Sequence, residues 1–216
     1  MCINCLTPGG RSKQAGFSLL EMVIAVAIVL VATAAAIVNI VPSMKTSRSN
    51  SGMELVLGEL RRAHERAIDE RRIYRVTFVA PQTMLLEVGQ VAVVGSTITG
   101  TAPAFVQAQP PLTLPVGTQF VVVPGIPTSV TATPDGFGTG VNAIDFDQAI
   151  GGGGTQIYFQ PDGRALDAAN RLNDGVVYLA EPNNLFSSRA VTLYGSTGRV
   201  KSWILAPAKG GTGWTQ

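Results

Sequence analysis

Residues Phe17 to Val41 read FSLLEMVIAVAIVLVATAAAIVNIV, 25 residues with a single charge, Glu21, and neither proline nor glycine. Crossing the hydrocarbon of a bilayer as a helix takes about 20 apolar residues, so this stretch is long enough to span. A secretory signal peptide is the plain alternative, with Arg11 and Lys13 as its basic region. Such a peptide has an apolar core of only about 7–15 residues, closed by a small-residue cleavage site. The run here is longer and holds a carboxylate near its start. A charge in a spanning helix costs on the order of 2.5–3.5 kcal/mol at the centre and less towards an end, and it marks function by default. Glu21 therefore needs a partner.

Composition narrows the function classes. Hydrophobic residues make up 46% and charged residues 14%, against about 25% charged in an ordinary soluble domain. That balance excludes a disordered chain, which combines low hydrophobicity with high net charge. A formal charge of +2 argues against a general polyanion binder. Cys2 and Cys5 form the only C-x-x-C pair, and His64 is the only histidine. Zinc would need a second ligand pair, and a redox motif belongs at a helix start after a strand, so neither reading is favoured. The glycine run 151–154 lacks a P-loop lysine and a following helix. Asp145 and Asp147 alternate on one strand face, but two carboxylates fall far short of the 6–8 oxygens calcium takes. One histidine builds no convincing triad. The expectation is a chain that is not an enzyme and holds no metal or cofactor.

Gly16-Phe17-Ser18-Leu19-Leu20-Glu21, with a short basic leader before it and the unbroken apolar run after it, resembles the signal of type IV pilins and type II secretion pseudopilins. The resemblance implies that prepilin peptidase cuts between Gly16 and Phe17, so that residues 1–16 are a leader. It also implies that the new amine of Phe17 is methylated and that Glu21 serves assembly. The implied partners are that peptidase, other pilins or pseudopilins and an inner-membrane assembly platform. The implied location is the inner membrane, single-pass, with the C-terminal domain in the periplasm. The physics is compatible: a positively charged amine at Phe17 would lie one helical turn from Glu21, and a carboxylate near a helix N-terminus is favoured by the macrodipole. In a filament the same carboxylate could neutralise a neighbouring subunit's amine, a contact suited to fixing register.

Without residues 1–16 the chain has 14 basic and 14 acidic side chains, unevenly placed. Residues 45–75 hold eight basic against five acidic groups, and residues 76–216 six against eight. Pro42 is expected to end or kink the apolar helix, because an interior proline loses a ladder bond and clashes with the preceding turn. Beyond the polar stretch 43–52, Met53, Val56, Leu60, Ala63 and Ala67 recur at steps of 3 and 4, one face of a second helix. Arg66–Glu70 and Arg62–Glu65 are its expected surface pairs. From about residue 73 the period changes to that of strands. Ile73–Val79 and Thr83–Val88 suggest a hairpin, with further candidates at 91–94, 120–123, 129–133, 155–159, 176–180, 190–194 and 199–205. The expected fold is α+β: an N-terminal helix over 17–75, transmembrane over 17–41 and amphipathic beyond, packed on a mainly antiparallel β-rich domain over 76–216.

Two turn signals punctuate the tail, Pro161-Asp162-Gly163 and the four-residue hairpin loop Gly195-Ser196-Thr197-Gly198. With Ile157–Phe159 before the first and Thr197-Gly198-Arg199-Val200-Lys201 around the second, the tail resembles the H-type minor pseudopilins and FimT-like minor pilins. Departures are the late Pro42 and the long charge-free insert 88–134. The implied function is a minor pseudopilin or pilin subunit assembling through its N-terminal helix. An uncleaved single-span membrane protein and a FimT-like pilin that binds DNA for uptake are the alternatives. Candidate DNA contacts are Arg199, Lys201 and Trp203 on one strand face, with Arg189 on the preceding strand. The acidic balance of 76–216 and the pairing of most arginines with acids weigh against that role.

Overall fold

The computed structural model describes residues 18–90, 104–127, 132–138, 141–146, 154–167, 169–208 and 211–216, with the side chains of 35–43 and 45 outside that description. The chain divides into two compact units, Met1–Pro42 and Ser43–Gln216. Helix α1 is assigned over Leu19–Asp69, 51 residues. Of the two outcomes expected at Pro42, an end to the helix is corrected, since the assignment passes through the proline and the polar stretch behind it. A proline removes one hydrogen bond, whereas extending a helix adds a bond per residue once nucleation has been met. In the first unit the apolar side chains described on α1 are exposed, Leu19 at 82%, Val31 at 72% and Ile28 at 64%. Among the described residues no helix is long and apolar enough to cross a membrane.

The second unit is α+β. Its first sheet has the order β3-β2-β1-β6-β7, with β4 also on β2. The strands are β1 (Tyr74–Val79), β2 (Thr83–Gln90), β3 (Ala104–Gln107), β4 (Leu112–Thr113), β6 (Gln156–Phe159) and β7 (Ala165–Leu166). The second sheet has the order β11-β10-β9-β8-β5, from β5 (Ile144–Asp145), β8 (Gly175–Leu179), β9 (Arg189–Tyr194), β10 (Arg199–Ala208) and β11 (Gly211–Thr215). All these pairings are antiparallel. The helical stripe Met53, Val56, Leu60, Ala63 and Ala67 is buried, joined by Leu57. It shares one apolar cluster with Val76, Phe78 and Phe159 of the first sheet and Val177, Leu179, Val191 and Leu193 of the second. The other face of the second sheet is covered too, by a smaller cluster of Ile126, Val176, Tyr178, Ala190 and Leu205.

The strand expectations at 73–79, 83–88, 155–159, 176–180, 190–194 and 199–205 correspond to β1, β2, β6, β8, β9 and β10. Residues 91–94 lie outside the described residues, as does most of 129–133. The expectation at 120–123 is corrected. Phe120 and Val123 are buried anchors of an irregular segment, whose backbone bonds reach across, Phe120 N to Pro81 O at 2.8 Å and Gln119 N to Ala180 O at 2.9 Å. The expected surface pair Arg62–Glu65 is replaced by Arg62–Glu59, 3.3 Å, and Glu70 accepts from the Tyr74 hydroxyl at 2.6 Å.

Candidate functional site

The sequence points to two places, and they lie in different units. At the first, α1 opens with Met22 N bonded to Ser18 O at 3.1 Å, which puts Glu21 in the first turn. The carboxylate is exposed among exposed Leu19, Leu20, Met22 and Val23. A contiguous exposed apolar surface of this kind marks a membrane or protein contact. Gly16 and Phe17 lie outside the described residues. Glu21 has the position that the helix macrodipole favours for an anion.

The second place is the β9–β10 hairpin. Its loop is the expected four-residue turn, with Tyr194 opposite Arg199 and Gly198 N bonded to Tyr194 O at 2.8 Å. Gly198 has φ +65, and a Cβ there would strike the His64 ring and sit 2.6 Å from Gly163 O. The His64 Nε2 is 3.0 Å from Gly163 O and its ring meets Phe159 edge-on at 5.8 Å. His64 thus joins α1 to both glycine turns, a packing role.

Lys201 and Trp203 do share a face, opposite Thr192 and Ala190. Lys201 Nζ donates to Asp135 Oδ1 at 2.7 Å and to the Tyr194 hydroxyl at 3.1 Å, lying 5.0 Å from the Tyr194 ring centroid. The Asp135 bond raises the lysine's pKa. Burial pushes the Asp135 carboxyl up, but bonds from Lys201, Thr192 and Tyr194 outweigh it and hold the group below its ordinary value. Trp203 Nε1 donates to Thr192 Oγ1 at 3.0 Å. These polar groups are occupied by each other.

Arg189 is placed elsewhere, which corrects its grouping with the other three. It pairs with Ile204, so it points to the opposite face of the sheet. It is 2% exposed, with Nε bonded to Asn50 Oδ1 at 2.7 Å and Nη1 to the carbonyls of Phe186, 3.0 Å, and Ser188, 2.9 Å. Burial lowers its pKa. Arg189 therefore ties β9 to α1. Of the four candidate contacts, Arg199 alone is exposed.

Asp135 is the partner that strand-face reasoning missed. It lies 66 residues before Lys201 in a short 3-10 turn, Pro134–Gly136, at φ 53. The Pro-Asp-Gly sequence signals the turn, and nothing in it signals the lysine.

Residues 11–37 match the family model of the prokaryotic N-terminal methylation motif. The match contains Gly16, Phe17 and Glu21, and it supports a type IV pilin-like subunit, the kind that prepilin peptidase processes and that assembles with other pilins. No curated protein and no solved structure matches the chain.

Proposed function

We propose that this chain is a minor pseudopilin or pilin. Residues 17–41 anchor it as a single span in the inner membrane, prepilin peptidase removes residues 1–16, and Phe17 becomes the methylated N-terminus. The periplasmic domain then rides on a helix that assembles, through Glu21, into a type II secretion pseudopilus or a type IV pilus. The role is structural rather than enzymatic. The observation that carries this reading is the methylation motif over 11–37, set on a helix whose described apolar side chains are exposed. The glycine turns around Gly163 and Gly198 support placement in the H-type, FimT-like group.

Glu21→Ala tests the role of the carboxylate. The change makes the segment more apolar, so insertion should not suffer. Breaking a buried charge pair by removing one partner costs on the order of 3–5 kcal/mol, so incorporation into sheared filaments should fall at least about tenfold. Immunoblots of membranes and sheared fractions make the comparison. Undiminished incorporation would remove Glu21 from the assembly contact.

A further inference from the structure

The two edges of β10 are not equally covered. β9 pairs with it from Arg199 to Ile204, whereas β11 takes the other edge only from Ile204 to Ala208. Leu205 N bonds Ser188 O at 3.2 Å. On the alternation of an antiparallel ladder, Arg199, Lys201 and Trp203 likewise turn their backbone groups to β9. Val200 and Ser202 turn theirs to the uncovered edge, where no strand pairs with them among the described residues. Beside this edge lies a cleft of about 630 Å³, with Arg61 and Glu65 of α1 on one wall and Arg199 and Ser202 on the other.

Two arginines line the cleft without an ion-pair partner among the described residues, Arg61 and Arg199, against one unpaired carboxylate, Glu65, while Arg62, Arg75, Arg164, Arg171 and Lys201 each have a partner. They stand on different faces of the sheet. Val200 belongs to the cluster that contains the α1 stripe, so that face looks towards Arg61, and Arg199, one residue earlier, projects from the other. Consecutive side chains of an added strand also go to opposite faces, so neighbouring carboxylates on such a strand would meet one arginine each.

We propose that the uncovered edge of β10 is a docking site for an extended acidic segment of another protein, which adds as a strand beside Val200 and Ser202. β11 already uses the same edge in this way two residues further on. Gln216 follows Thr215 of β11 and lines the same cleft beside Trp203, so the free span from Arg199 to Ser202 is about 10 Å and accepts roughly four residues. A protein segment suits the edge better than a nucleic-acid backbone. The edge presents both N–H donors and carbonyl acceptors; an extended peptide matches both, whereas phosphate oxygens accept only. The edge and both arginines belong to the unit Ser43–Gln216.

The test uses the full chain in detergent micelles, labelled for amide NMR. The probe is an acetylated, amidated pentapeptide with valine at the centre and two glutamates on each side. Controls are the lysine analogue, a backbone N-methylated analogue and a short DNA duplex. The proposal expects the acidic peptide to shift the Val200 and Ser202 amides and slow their exchange. It expects at least tenfold weaker binding by both peptide analogues, and by an Arg61→Ala/Arg199→Ala variant whose remaining amide spectrum is unchanged. Unmoved Val200 and Ser202 amides, equal binding of the lysine peptide, or tighter binding of the duplex at the same arginines would overturn it.

Discussion

Lys201 shows how a residue can be read correctly for position and still be misjudged for availability. The period of two places Arg199, Lys201 and Trp203 on one face, and the register confirms it. The use of that lysine depends on Asp135, which only the folded chain brings near. Both pKa values shift towards the charged forms, and the sign of the pH dependence follows. The depressed Asp135 contributes stability that is present above its ordinary value of 3.8 and is lost as the pH falls through the lower folded value. The raised Lys201 contributes stability that is present below 10.5 and is lost only as the pH rises above it. Asp135→Asn should therefore lower the melting temperature at neutral pH, and the gap to the parent protein should narrow below about pH 4. Thermal denaturation at pH 7, 5 and 3 checks this; a gap that stays constant would mean that the ion pair does not stabilise the hairpin. Arg189 is a harder case. Residues 189–193 are all buried because β9 is covered on both faces, and alternation in the sequence cannot distinguish a half-covered strand from one enclosed on both sides.

At the scale of elements, the amphipathic part of α1 was the most legible. Its 3–4 spacing names the residues that end up at 5% exposure or less, because a repeated apolar stripe has one way to avoid water. Leu60 is fully buried between the helix and the sheets. Leu60→Ala should therefore cost about 2–5 kcal/mol through lost burial and the cavity left behind. Its exposed neighbour in the same turn is a control, since Arg61→Ala should stay within about 0.5 kcal/mol. Urea denaturation of the two variants side by side checks the contrast; equal losses would show that the stripe does not anchor the helix. Less legible were β4, β5 and β7, two residues each, which are too short to show a period. β11 reads GTGWT, a poor strand former on composition. It is a strand because the edge of β10 offers it a ladder, which is a tertiary cause.

Across the whole molecule, the chemistry divides as the chain does. Met1–Pro42 and Ser43–Gln216 are separate compact units, one with its described apolar side chains outward and one with its own buried core. A helix with its greasy residues outside is intelligible only with a surface to cover it; in the proposed function that surface is first lipid and then the helices of other subunits. The motif that holds Gly16, Phe17 and Glu21 is visible in the sequence because it is linear, and its match over 11–37 needs no tertiary structure. The hairpin site was half legible, because its loop and strand face are local while its partners, Asp135, Arg61 and His64, arrive from distant parts of the chain.

The central claim is that this chain is a processed pilin-like subunit, and the mass of the mature protein extracted from membranes tests it most directly. The account predicts a chain that begins at Phe17, lacks residues 1–16 with Cys2 and Cys5, and carries one added methyl group on its terminal amine. A membrane-bound chain that keeps Cys2 and Cys5 and an unmodified leader would contradict it and identify an uncleaved single-span protein instead.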